Sequence, residues 1–196
     1  MARIAIDMDE VIADALSKHL EQYNSHFGKN LEREDLMGKM LHEYVSREEA
    51  SKLYEFLVDE TFFADLPVMA DAIEVLEELS QKHELFITTA AMEFPTSFTA
   101  KYEWLRRHFP FISPLNIVFC GDKSVINADY LIDDSARHFK RFIGQGILFD
   151  APHNVNETGY KRVKSWREVR DLFRELDAAA SAQGARGALW NVASHQ

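Results

Sequence analysis

A single cysteine, Cys120, among 196 residues rules out an internal disulfide, so the fold must rest on packing and polar bonds. That usage fits a reducing compartment. Cys120 closes the apolar run Ile117-Val118-Phe119-Cys120 and reads as a buried small hydrophobe. Long apolar runs are missing too. The N-terminus enters a short strand-like stretch, Arg3-Ile4-Ala5-Ile6, with no leader or membrane span, so a soluble cytoplasmic protein without a membrane partner is expected. Basic residues are scarce: 22 Lys and Arg stand against 32 Asp and Glu, a formal net charge of −10. Without a basic stripe to displace condensed counterions, polymeric nucleic acid is excluded as a partner. A small anionic substrate stays open if local cations or a metal offset the global field. The eight histidines lack the spacing of a metal motif and read as structural. There is no Gly-x-x-x-x-Gly-Lys loop and no Gly-x-Ser-x-Gly elbow.

What is present is enough apolar material for a core, 46% of the chain with 12% aromatic, which argues against disorder. Four short apolar runs read as buried parallel strands: 3–6, 84–88, 116–120 and 130–132. A fifth, 146–149, follows a helix-like segment at 135–142. Helical periodicity marks 70–81, with Ile73, Leu76 and Leu79 on one face, and 96–108, with Phe98, Tyr102 and Leu105. A last helix over 165–176 starts with Ser165 and the Glu168 of a capping box. Strands alternating with helices predict an α/β fold, a doubly wound, Rossmann-like parallel sheet of about five strands. Residues 15–68 hold no strand but carry helical patterns at 15–27 and 47–58, which predicts a small helical cap inserted after the first strand. The expected division is a core of 1–14 and 69–177, a cap of 15–68, and a poorly packed tail of 178–196 rich in Ala, Ser and Gly.

The chemistry concentrates at strand ends. Asp7 and Asp9 follow the first strand, and residues two apart in extended chain point to the same side. Tyr130-Leu131-Ile132-Asp133-Asp134 repeats the arrangement, an apolar strand ending in two acids. Carboxylates converging at one sheet edge repel unless a cation relieves them. A hard divalent ion suits that donor set, and Mg²⁺ suits carboxylates together with a substrate phosphate. The strand Leu85-Phe86-Ile87-Thr88-Thr89 ends in hydroxyls; alternation lets only one of Thr88 and Thr89 point into the site, and the last, Thr89, is taken as that one. Lys101 and Lys123 stand where each can add positive charge.

These residues occur in the order of the four motifs of the haloacid dehalogenase (HAD) superfamily, which the chain resembles. The match is nearest to the 5′(3′)-deoxyribonucleotidase branch, through DMDEVIAD (7–14), TFFADLP (61–67), FITTAAMEFP (86–95), KYEWLRRHFP (101–110) and IVFCGDKSVINADYLIDD (117–134). The resemblance implies Asp7 as an aspartyl nucleophile and Asp9 as general acid and base. It implies Mg²⁺ held by the Asp7 carboxylate, the Asp9 backbone carbonyl and Asp134, with Asp133 supporting. Thr89 and Lys101 resemble the second and third motifs, Lys123 a second lysine close to the substrate phosphate. Phe62 falls where the branch places a cap aromatic against the nucleobase. The implied activity is a Mg²⁺-dependent phosphatase acting on (deoxy)nucleoside monophosphates through an aspartyl phosphate; the alternative substrate is a sugar phosphate or another small phosphomonoester. Assembly as a homodimer is compatible with this reading.

The pattern is not complete. Glu10 stands where the branch usually has Gly, Ala15 where better-known members have an aromatic, and Gly121 where an arginine is frequent. A Phe-Trp pair of the cap has no counterpart near 38–40. These departures leave the chemistry intact and bear on base and sugar preference. A signalling receiver domain also combines acids, Thr and Lys, but it places its acceptor Asp on a later strand and carries no helical insertion after the first.

Overall fold

The computed structural model describes residues 1–193, with side-chain surroundings described through Ala182. Six strands form one parallel sheet: β1 (Arg3–Asp7), β2 (Glu84–Thr89), β3 (Ile117–Phe119), β4 (Tyr130–Asp133), β5 (Gln145–Phe149) and β6 (Lys161–Val163). Their order is β3-β2-β1-β4-β5-β6, the doubly wound arrangement in which the chain turns outward in both directions from β1. The expected count of about five is corrected to six. Lys161-Arg162-Val163 is short and mostly charged, as an edge strand can be, and shows no apolar run to find it by.

Ile4 and Ile6 of β1 are wholly buried, covered by three helices: α4 (Ala72–Ser80), α5 (Phe98–His108) and α6 (Trp166–Ala193). The buried face of α4 is Ala72, Val75, Leu76 and Leu79; Ile73, expected among them, is 39% exposed. In α5 the inward face is Ala100, Lys101, Trp104 and Leu105, and Tyr102 turns outward. Trp104 and Trp166 are too large to be buried cheaply unless their indole N–H groups find acceptors. Trp104 donates to the Leu66 carbonyl and Trp166 to that of Val11, each at 2.8 Å. Three ion pairs, Asp71–Arg167, Glu74–Arg170 and Glu78–Arg174, run as a ladder between α4 and α6. The segment 135–142 makes only a 3₁₀ turn, Ala136–Lys140. Because α6 continues to Ala193, the backbone of most of the expected tail is helical; the packing of its side chains beyond 182 lies outside the described residues. Cys120 is half-buried rather than buried, since it leaves the sheet from the edge strand β3.

Between β1 and β2 stand α1 (Ala15–Phe27), α2 (Leu41–Tyr44) and α3 (Arg47–Val58). Asp14 caps α1 by accepting the Ser17 N–H at 3.0 Å, and Gly28 ends it in the left-handed conformation. Ser46 and Glu49 form the capping box that starts α3. Leu20, Tyr23, Leu36, Leu41 and Leu53 make a small core within this insertion. Its two connections to the sheet run side by side: Ala13 bridges Val68, Asp14 N–H donates to the Pro67 carbonyl (2.8 Å) and Met69 N–H to that of Ile12 (2.9 Å).

The Trp166–Val11 bond links α6 to the loop that leaves β1. Trp166→Phe should lower unfolding free energy by about 1–3 kcal/mol, since it orphans a buried carbonyl, and Trp166→Ala by about 3–5 kcal/mol. Urea midpoints measure both; a Phe variant as stable as wild type would show that the bond contributes nothing.

Candidate active site

The parallel register decides what meets at the carboxyl edge of the sheet. Asp7 pairs with Thr88 across β1 and β2, while Ile6 pairs with Ile132 across β1 and β4, which brings Asp7 level with Asp133. This is the point where the chain order reverses, the usual place for a ligand in an open α/β sheet. Carboxylate oxygens of Asp7, Asp133 and Asp134 lie within 4.8 Å of one another. All three are buried.

Two buried lysines enter from either side. The Lys123 ammonium donates to Asp7 and, at 2.6 Å, to Asp133. The Lys101 ammonium donates to Asp9 and to Thr89 Oγ1 (3.1 Å), and lies 4.3 Å from the centre of the Phe63 ring. Thr88, by contrast, turns its hydroxyl to the Ile6 carbonyl (3.4 Å), so the hydroxyl on the site side is that of Thr89. Asp9 Oδ1 is buried without a partner. Burial is the largest influence on Asp7 and, with repulsion from Asp133 and Asp9, pushes its carboxyl up to about 7 against the pull of Lys123. Burial and the negative charges of Asp133, Asp7 and Glu10 raise Asp134 well above the carboxylate range. Burial also works against the Lys123 charge, but Asp7 and Asp133 more than offset it and hold the ammonium above its usual range. The acids therefore outnumber their internal cations. An all-oxygen donor set with surplus negative charge and an unpartnered buried oxygen fits a hard divalent ion.

Phe62 is not brought to this point. It is fully buried in the core, with Phe63 4.9 Å away and His19 5.5 Å away, ring centre to ring centre. The cavity above Asp7 and Asp9 is lined instead by its neighbour Phe63, together with Phe94. That cavity, about 450 Å³, shares Ala15, Met40, His42, Leu57, Glu93 and Phe94 with a largely apolar chamber of about 670 Å³ between α1, α2 and α3. Two further residues went unnoticed in the sequence. His153 Nε2 and Asn154 Nδ2 lie 3.2 and 2.7 Å from the Asp134 carbonyl, and Asn154 also binds the Phe149 carbonyl, which fixes the end of β4 to that of β5. The signal was available in Asp150-Ala151-Pro152-His153-Asn154, where three polar residues fall just past the carboxyl end of a strand.

The loop after Asp9 is tight. Ile12 and Ala13 both donate to the Met8 carbonyl, and Glu10 takes a left-handed conformation, φ +59°. Its carboxylate accepts the Leu16 N–H (2.6 Å) and pairs with Arg33 (2.7 Å); burial nevertheless pushes it up to about 7.

A doubly wound sheet with these acids, a strand-end Thr, two lysines and a helical cap defines a hydrolase of the HAD class. Among solved structures, a HAD-hydrolase of Bacillus subtilis bound to magnesium matches with a TM-score of 0.56 at 15% identity, covering 88% of this chain and 98% of that one. The family described as 5′ nucleotidase, deoxy (pyrimidine), cytosolic type C matches residues 1–180, and the chain belongs to it. A Staphylococcus epidermidis relative, described as a candidate 5′(3′)-deoxyribonucleotidase, is 44% identical over 175 residues, 89% of this chain and 97% of its own. The 5′(3′)-deoxyribonucleotidase of Bacillus subtilis is 40% identical over 166 residues, covering 85% and 95%. The chain is a hydrolase, a nucleotidase-like phosphatase.

An acid whose folded pKa exceeds its unfolded value costs stability as pH climbs between the two. For Asp7 that window runs from about 4 to about 7. With divalent ions chelated, Asp7→Asn should therefore gain stability relative to wild type as pH rises from 4 to 8, on the order of 4 kcal/mol. Urea unfolding across that range measures the difference, and a flat difference would show that the buried carboxylate carries no such cost.

Proposed function

We propose that the chain is a Mg²⁺-dependent phosphomonoesterase that dephosphorylates (deoxy)nucleoside monophosphates through an aspartyl phosphate on Asp7. The observation that carries this reading is the trio of Asp7, Asp133 and Asp134 within 4.8 Å, flanked by Lys123 and Lys101 and opening on a cavity that continues into an apolar chamber. The core is 1–14 with 69–177, and the cap is 15–68.

Asp7 attacks phosphorus through a carboxylate oxygen, in line with the departing nucleoside oxygen. Asp9 delivers its proton to that oxygen as the phosphorus–oxygen bond breaks. Asp9 then withdraws a proton from the water that attacks the aspartyl phosphate, which frees inorganic phosphate and restores Asp7. Lys123, Lys101 and the Thr89 hydroxyl meet the charge that gathers on the equatorial oxygens. Lys101 also holds Asp9 in place before reaction. Asp7, Asp134 and the Asp9 backbone carbonyl would hold Mg²⁺, with Asp133 supporting; bound there, the ion neutralises phosphoryl charge. Closed over the acids, the cap excludes bulk water, and its apolar chamber receives the base. The apolar lining is what favours a nucleoside over a sugar as leaving group. Phe63 lines the cavity over the acids and Phe94 lines both that cavity and the chamber, so contact with the base falls to these two rather than to the buried Phe62.

Asp7→Asn should lower kcat by at least about 10³-fold, with an unchanged circular dichroism spectrum. Phosphate release from a panel of nucleoside monophosphates and sugar phosphates, with and without Mg²⁺, tests the substrate class. Full activity of the variant, or faster turnover of sugar phosphates than of every nucleotide, contradicts this reading.

A further inference from the structure

The ion cluster formed by Glu10, Arg33 and Asp14 lies outside the reacting groups, yet it joins the cap to the residue beside Asp9. Arg33 belongs to a 3₁₀ turn of the cap, Arg33–Leu36. One arm of its guanidinium donates to Glu10 Oε2 at 2.7 Å, the other to Asp14 Oδ1 at 2.6 Å and Ser17 Oγ at 3.3 Å. Asp14 is the cap residue of α1, and the second Glu10 oxygen accepts the Leu16 N–H of that same helix. One arginine thus fastens the catalytic loop, the start of the first cap helix and the cap's 3₁₀ turn at a single point. A second tie lies nearby, where Gly38 N–H donates to the Pro152 carbonyl at 2.8 Å, in the segment that also holds His153 against Asp134.

Glu10 is an expensive residue at its position. A left-handed backbone costs a non-glycine residue roughly 1 kcal/mol or more. A glycine there would remove that strain, so the carboxylate must contribute something that offsets it. We infer that Arg33 is a positioning residue: by clasping Glu10 and Asp14 it couples the seated cap to the Asp9 turn, and so aims the Asp9 carboxyl at the leaving-group oxygen. Asp9 has one oxygen on Lys101 and one buried oxygen without a partner, so its aim depends on the turn that carries it. That turn is closed by Glu10 N–H to the Ala13 carbonyl (2.8 Å) and held from outside by the Glu10 side chain.

The inference rests on the proposed role of Asp9, and the test separates the two. Arg33→Met, Glu10→Gly and the double variant are assayed on a nucleoside monophosphate, whose leaving oxygen needs a proton, and on p-nitrophenyl phosphate, whose leaving group departs as the anion. The clasp predicts a kcat about tenfold lower on the nucleotide for each single variant, no further loss in the double variant, and at most about a twofold loss on p-nitrophenyl phosphate. Arg33→Lys should recover part of the nucleotide rate. Equal losses on both substrates, or none on either, overturn it. Hydrogen exchange supplies a readout that needs no substrate: amides of 10–17 should exchange at least about tenfold faster in Arg33→Met, while those of β1 stay protected. Unchanged exchange at 10–17 overturns the clasp even if the enzyme proves to act on another phosphomonoester.

Discussion

Crowded negative charge at the carboxyl edge of β1 and β4 is the constraint around which this molecule is organised. Asp7, Asp133 and Asp134 are buried within reach of one another, and Lys123 reaches only two of them. Removing ions from water is costly, and a pair is tolerated only where geometry and additional bonds compensate. Here the compensation is assembled piece by piece. Ser135 N–H donates to Asp133 at 2.8 Å, His153 and Asn154 hold the Asp134 carbonyl, and Arg162 in turn holds the Asn154 side chain at 2.6 Å. The negative charge that these bonds leave uncompensated is what a divalent cation would offset.

The sheet is the part that makes such crowding mechanically tolerable. β1 is central, buried on both faces and paired on both edges, so Asp7 leaves a strand that cannot yield. The lysines come from elsewhere: Lys101 from a helix face that is otherwise apolar, Lys123 from a short 3₁₀ turn beyond β3. Each buries a long aliphatic stem and brings its charge to the acids, Lys101 also to the Thr89 hydroxyl. The site is thus rigid on the acid side and threaded on the base side.

The acids were legible in the sequence because strand ends are legible: an apolar run followed by two carboxylates can point in few directions. The helix limits of α1 and α3 were also readable, from their periodicity. Helix phase was less so. In α5 the periodic reading put Tyr102 inside and left Trp104 unassigned; Lys101 was found by its place in the motif order and not by helix phase, because a lysine buried to meet a carboxylate looks like a surface lysine until its partner is known. Ile73 failed for the opposite reason, as an apolar residue one step off the buried face of α4. Phe62 and Phe63 are adjacent and chemically identical, so only the local backbone decides which faces the cavity. β6 carried no apolar signal at all, and the Arg33 contacts join residues 19 and 23 positions apart through a turn with no regular period.

The bridge between Ala13 and Val68 has a consequence for the history of such a chain. Entry to and exit from the helical insertion leave the sheet as neighbours, so the insertion is closed at its root whatever its length. Loop closure of this kind depends only on the logarithm of the number of residues enclosed. Helices can be lengthened, shortened or exchanged between those two residues without shifting the register that sets Asp7 beside Asp133. The register of the acids is therefore independent of the insertion's length, while the turn after Asp9 stays tied to the insertion through Arg33.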